Sequence, residues 1–177
     1  MPERRIIRIV DGRPQVVADP WQVLEAGADW DGSPNTILPL ATLSARTDLP
    51  AHAGTFALWL GPTDEPALAR AWFDAVPLIA VQFPKFTDGR GYSTAALLRT
   101  RFGWRGELRA IGDVLHDQLF QLRRVGFDSF ALRPDRDPVD ALRAFTVFSD
   151  TYQGSVDQPL PHFRRGAAPA PIIKTTN

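Results

Sequence analysis

The sequence predicts an α/β protein: a mainly parallel sheet of about five strands flanked by helices, preceded by an N-terminal β-hairpin. Apolar runs of strand length at 36–40, 55–60, 78–83, 107–112 and 129–133 alternate with segments of helical period, the pattern of βα units. Two β-branched runs between residues 6 and 18 flank Asp11-Gly12-Arg13, where Gly12 can take positive φ in a tight loop. A length of 177 residues, 44% hydrophobic and 23% charged, is enough for one domain with a real core. Five such strands cannot close a (β/α) barrel within one chain, so the sheet reads as open. The alternative is a partial (β/α) barrel completed by a dimer partner. The chain divides into the hairpin at 1–19, the α/β domain at 20–154 and a proline-rich segment at 155–177.

Each helix has its own punctuation. Thr63-Asp64-Glu65-Pro66 supplies a cap and an acidic first turn to a helix presenting Leu68, Ala69, Trp72 and Phe73. Ser93 is read as the cap of a helix carrying Leu97, Leu98 and Phe102, ended by Gly103. Asp113 is read as the cap of a helix over 114–125, with Leu115, Leu119, Leu122 and Val125 on one face and Gly126 as terminator. Asp137-Pro138 opens a last helix whose stripe is Val139, Leu142, Phe145, Phe148 and Tyr152, closed by Gly154. Beyond it, Pro159, Pro161, Pro169 and Pro171 prevent a helix or a central strand, and the segment reads as a mobile tail or an arm laid on a neighbour.

Composition excludes several functions. Twenty basic and 20 acidic side chains cancel, so the excess of Lys and Arg that a general nucleic-acid binder needs is missing. No cysteine is present, which excludes disulfides, a thiolate nucleophile and cysteine-held zinc or iron–sulfur centres. His52, His116 and His162 are far apart in sequence, so no metal site is expected. Neither a signal-peptide pattern nor a run of about 20 apolar residues occurs, and the chain reads as cytoplasmic, without a membrane span. Five tryptophans and 11 phenylalanines supply the core, with some available for a partner surface such as a homodimer interface.

In parallel α/β sheets ligands gather at the C-terminal ends of the strands. Of the loops there, FPKFTDGRGYS at 83–93 carries the most chemistry. Gly89 and Gly91 let backbone N–H groups aim at one point, the helix start adds partial positive charge, and Lys85 and Arg90 add full charges. With Asp88, Tyr92 and Ser93 this makes a candidate site for a small anion such as phosphate, sulfate, sulfite or a carboxylate. The plainer alternative is a glycine turn in which Asp88 and Arg90 pair with neighbours. Arg109, in the middle of the run at 107–112, must find a partner or line a polar cavity, because an unpaired buried charge is very costly. Asp113 or Asp88 would be that partner in a structural pair; the chemical alternative makes Arg109 and Asp113 the catalytic candidates.

Three strings then point to a family. FPKFTDGRGYS, RGELRAIGDVLHDQLFQLRRVGFDSF at 105–130 and AFTVFSDTYQ at 144–153 resemble domain-of-unknown-function family 934. That family is bacterial, usually encoded beside assimilatory sulfite reductase and often labelled a probable oxidoreductase of sulfite reduction. The resemblance implies an accessory protein of sulfur assimilation whose partner is the sulfite reductase hemoprotein, and it brings no established catalytic residues. The competing reading is a small-anion-binding enzyme of oxidoreductase type with its site in the 84–92 loop. Without cysteine, any redox centre would be a borrowed organic cofactor such as flavin.

Overall fold

The computed structural model describes residues 4–45, 55–146, 153–161 and 164. Its strands are β1 (Arg5–Val10), β2 (Arg13–Ala18), β3 (Gln22–Val23), β4 (Thr36–Pro39), β5 (Phe56–Leu60), β6 (Leu78–Phe83), β7 (Glu107–Gly112) and β8 (Ser129–Phe130). They form one sheet in the order β2-β1-β8-β7-β6-β5-β4-β3. From β3 to β8 neighbours in space are neighbours in sequence and all pair parallel. Winding in one direction puts the crossovers on one face and curls the sheet into a half-barrel.

The two faces separate cleanly, because successive side chains of a strand point to opposite sides. Ile7, Leu38, Leu58, Ile79, Val81, Phe83, Leu108, Ala110 and Phe130 pack with Leu43, Ala69, Leu98, Leu119, Leu122 and Phe145 from the helical segments. Ile37, Ala57, Trp59, Leu78, Ala80 and Ile111 form a second, inner cluster, with Trp21 and Ala131 against it. Coverage on both sides is why β5, FALWL, is apolar throughout rather than alternating.

The sheet is larger than the five mainly parallel strands expected, and it is mixed. The hairpin does form: Asp11 and Gly12, at φ 49° and 76°, make a two-residue turn between β1 and β2. But β1 also pairs antiparallel with β8, so the hairpin extends the sheet instead of standing beside it. The two-residue β3 adds the opposite edge and is too short to show as an apolar run.

The short α1 (Leu40–Ser44) has no pattern to announce it, and α2 (Arg90–Thr100) keeps the expected length but starts earlier. Two helices, α3 (Leu119–Arg124) and α4 (Pro138–Ala141), are shorter than their patterns implied. Residues Pro66–Trp72 wind as a 3-10 helix, with Leu68 exposed and Ala69 fully buried. Helix α2 starts at Arg90 behind Gly89, so Ser93 lies inside it rather than capping it. Asp113 caps nothing either, because a 3-10 turn at His116–Gln118 precedes α3. Asp137 does cap α4 through the Val139 N–H at 2.8 Å, but Val139 is exposed and a 3-10 turn at Leu142–Thr146 follows. Phe148, Tyr152, His52, His162 and residues 165–177 lie outside the described residues. The start of the proline-rich segment is docked: the Ser155 hydroxyl and the Asp157 N–H both donate to the Arg124 carbonyl at the end of α3.

Candidate functional site

Arg109 finds its partners on the inner face of the half-barrel, and they are neither Asp113 nor Asp88. Its guanidinium donates to Asp19 Oδ1 at 2.7 Å, to Glu107 Oε1 at 2.8 Å and to the Ser129 hydroxyl at 3.2 Å. Ser129 in turn donates to Glu107 at 2.6 Å, and Arg8 pairs with the other Glu107 oxygen at 2.9 Å. The Arg109 side chain is 3% exposed and that of Asp19 5%. Burial would raise the Glu107 carboxyl, but the Arg109 charge, hydrogen bonds from Ser129 and Arg109, and the Arg8 charge outweigh it and hold the group below its ordinary range. Strand alternation already set Glu107 and Arg109 on one face; Asp19, 90 residues away and just past the end of β2, is brought to them only by the tertiary fold.

The 84–92 loop follows β6. Here the Asp88 carboxylate takes the place of an external anion. It accepts from Arg90 Nη2 at 2.6 Å, Arg90 Nε at 2.9 Å and the Arg90 N–H at the start of α2. Those bonds hold Asp88 down at about 2. Lys85 is exposed and makes no ion pair among the described residues. Gly91 is a packing glycine: a Cβ there would lie 2.5 Å from the Phe83 ring. Tyr92 crosses that ring edge-on, and burial pushes its phenol up, against a hydrogen bond with Gln118 that pulls it down. Ser93 is exposed on α2.

Asp113 ties two of these loops together. One oxygen accepts from the Phe86 N–H at 3.0 Å and the other from Arg133 at 3.2 Å. Gln118 adds a second tie, donating to the Phe86 carbonyl at 3.0 Å. Arg109 and Asp113, the two catalytic candidates, therefore belong to separate networks.

A cavity of about 530 Å³ opens where β8 ends and β1 begins. Ile6, Asp19 and Ala131 lie along it, as do Arg4, Arg5, Arg133 and Arg136, with Asp135 and Asp137. Asp135 is bound on both oxygens by Arg133, at 2.6 and 2.9 Å, and Arg136 stands 3.6 Å from it. Those hydrogen bonds hold the Asp135 carboxyl below its ordinary range. Arg5 reaches Asp137 at 3.8 Å. Arg4 donates to the Trp21 carbonyl and meets no carboxylate among the described residues. Among the described residues, no three His, Asp or Glu side chains converge as a metal ion would require, and no helix is long and apolar enough to cross a membrane.

Residues 57–163 match the model of DUF934, described as a bacterial protein of unknown function. The chain belongs to the DUF934 family. No curated protein and no solved structure matches it. The span characteristic of DUF934 runs from β5 through the loops carrying Asp113, Arg133 and Arg136; Arg4, Arg5 and Asp19, on the other side of the cavity, precede it.

Sequence reasoning missed this DUF934 cavity. The string RPDRD at 133–137 was legible as a dense charge run, and the start of the chain as arginine-rich. What joins them is the antiparallel β1–β8 pairing, which no local pattern announces. Asp113 offers a direct test of the loop ties. Asp113→Ala removes a charge-assisted bond to each loop and is expected to lower stability by about 1–3 kcal/mol. Amide exchange at 85–88 should quicken more than exchange in β6; unchanged protection at Phe86 would contradict the tie.

Proposed function

We propose that this DUF934 protein is an accessory protein of assimilatory sulfite reduction, acting with the sulfite reductase hemoprotein, and that it holds a small oxyanion in the arginine-lined cavity at the end of β8. The pathway rests on the resemblance of the 83–93, 105–130 and 144–153 strings. The observation that carries the ligand class is the charge balance of the cavity, four arginines against three aspartates. Arg133 is committed to Asp135, whereas Arg4 and Arg136 are not tightly paired among the described residues. Guanidinium groups suit this task, since their planar fork of donors matches an oxyanion. Asp19 is already answered by Arg109, so it does not cancel the rim charge.

The alternative site, the 84–92 loop, has exposed Lys85 in its favour, but Asp88 already occupies Arg90. Two substitutions separate the readings. Arg136→Ala should weaken sulfite binding about tenfold or more, the cost of a lost charge-assisted bond, while Arg90→Ala leaves it nearly unchanged. Titration calorimetry on the full chain reads both, and the reverse ranking would move the site to the loop. In the cell, deletion should abolish growth on sulfate or sulfite as sole sulfur source, with rescue by cysteine and by wild type. Normal growth of the deletion strain on sulfate would remove the pathway assignment.

A further inference from the structure

Asp19 is an unusual neighbour for an oxyanion. A cavity built only to attract negative charge would not keep a carboxylate 5% exposed along its lining. Asp19 Oδ1 is used twice, by Arg109 at 2.7 Å and by the Trp21 N–H at 3.3 Å. Its other oxygen, Oδ2, accepts from no group among the described residues. An ionised carboxylate can only accept hydrogen bonds, so whatever meets Oδ2 must bring a hydrogen. Arg109 is itself buried and held in place by Glu107 and Ser129, so Asp19 cannot swing aside without depriving the buried Arg109 Nη1 of its partner.

Resting on the oxyanion reading above, we propose that Asp19 makes the cavity selective for oxyanions that carry a proton, such as bisulfite and hydrogen phosphate, against fully deprotonated ones such as sulfate. The arginines at the rim supply attraction, which every oxyanion shares. Asp19 supplies the discrimination, because the ligand's O–H completes the carboxylate's set of hydrogen bonds. An oxygen without a hydrogen meets the carboxylate as like charge against like and leaves it unpaired. At neutral pH sulfate carries no proton, hydrogen phosphate keeps one and sulfite is partly bisulfite. The same cavity would thus accept the substrate of sulfite reduction while refusing the more oxidised anion that accompanies it.

The test is titration calorimetry on the full chain at neutral pH, with ionic strength held by sodium chloride. Sulfite is the first probe. Two size-matched pairs follow, phosphate with sulfate and arsenate with selenate. In the wild type, the proton-bearing member of each pair should bind roughly ten- to a hundredfold more tightly, the usual worth of a charge-assisted hydrogen bond. Asp19→Asn, whose amide can donate, should bring sulfate and phosphate to within about threefold of each other. Equal binding of sulfate and phosphate by the wild type overturns the selectivity and leaves the oxyanion site standing. Selectivity that survives in Asp19→Asn overturns the role of Asp19. Failure of all five anions to bind removes the oxyanion reading, and this inference with it. The wild-type comparison decides the selectivity even if Asp19→Asn does not fold.

Discussion

Arg109→Leu is expected to cost about 3–5 kcal/mol of folding stability, the penalty for removing one side of a buried ion pair and leaving charge behind. Two carboxylates, Asp19 and Glu107, lose their shared cation at once, and Ser129 loses a bond. Against a typical total of about 5–15 kcal/mol, that places the variant near unfolding. The pH dependence supplies a second readout. In the wild type Glu107 sits below its ordinary range, so its contribution is present above a pH of about 4.3, the unfolded glutamate value, and is lost as pH falls through its lowered folded value. Without Arg109, two of the influences that lower Glu107 are gone and its carboxyl rises from the wild-type position, so the deficit should be largest near neutrality and shrink on acidification. Urea denaturation at neutral pH and at about pH 3.5, below the unfolded glutamate value, checks both. A loss below about 1 kcal/mol, as for an exposed pair, would contradict the buried network.

Gly112→Ala is the second large effect. Gly112 ends β7 at φ +96°, where an L side chain is strained, and a Cβ there would lie 2.4 Å from the Phe83 carbonyl oxygen. That oxygen is the backbone of the paired strand and accepts the Asp113 N–H at 2.7 Å, so neither partner can retreat cheaply. Strain and overpacking each cost about 1–3 kcal/mol, so a loss of about 2–6 kcal/mol is expected by thermal or urea unfolding. The substitution should also loosen the Asp113–Phe86 contact, and with it the ends of β6 and β7. A stability within about 0.5 kcal/mol of wild type would show that the turn does not have this geometry.

How much was legible varies element by element. The runs at 78–83 and 107–112 became β6 and β7 at the same bounds, because a short apolar-rich run bounded by Pro or Gly is a local property of its residues. The Asp11-Gly12 turn was equally readable, since its conformation depends on little beyond those two residues. The helices fared worse. Asp113 and Ser93 are good cap residues by type, yet Asp113 is drawn away by Phe86 and Arg133, and α2 begins three residues before Ser93. Within the candidate site, the loop at 83–93 and the need of Arg109 for partners could be read in advance. That Asp88 answers Arg90, and that Asp19 answers Arg109, could not.

The sequence by itself determined the α/β class, the hairpin and the order of the βα units, as well as a chemistry without thiols. Those follow from periodicity, turn residues and composition, which act over a few neighbouring positions. Only the tertiary structure decided that β1 lies against β8, that the consecutive parallel strands curl into a half-barrel, and that Arg4, Asp19 and Arg136 border one cavity. The physical reason is that strand pairing is set by backbone hydrogen bonds common to every residue. The choice of partner strand is made by the packing of whole faces, and the charges at the strand ends are carried wherever that packing takes them.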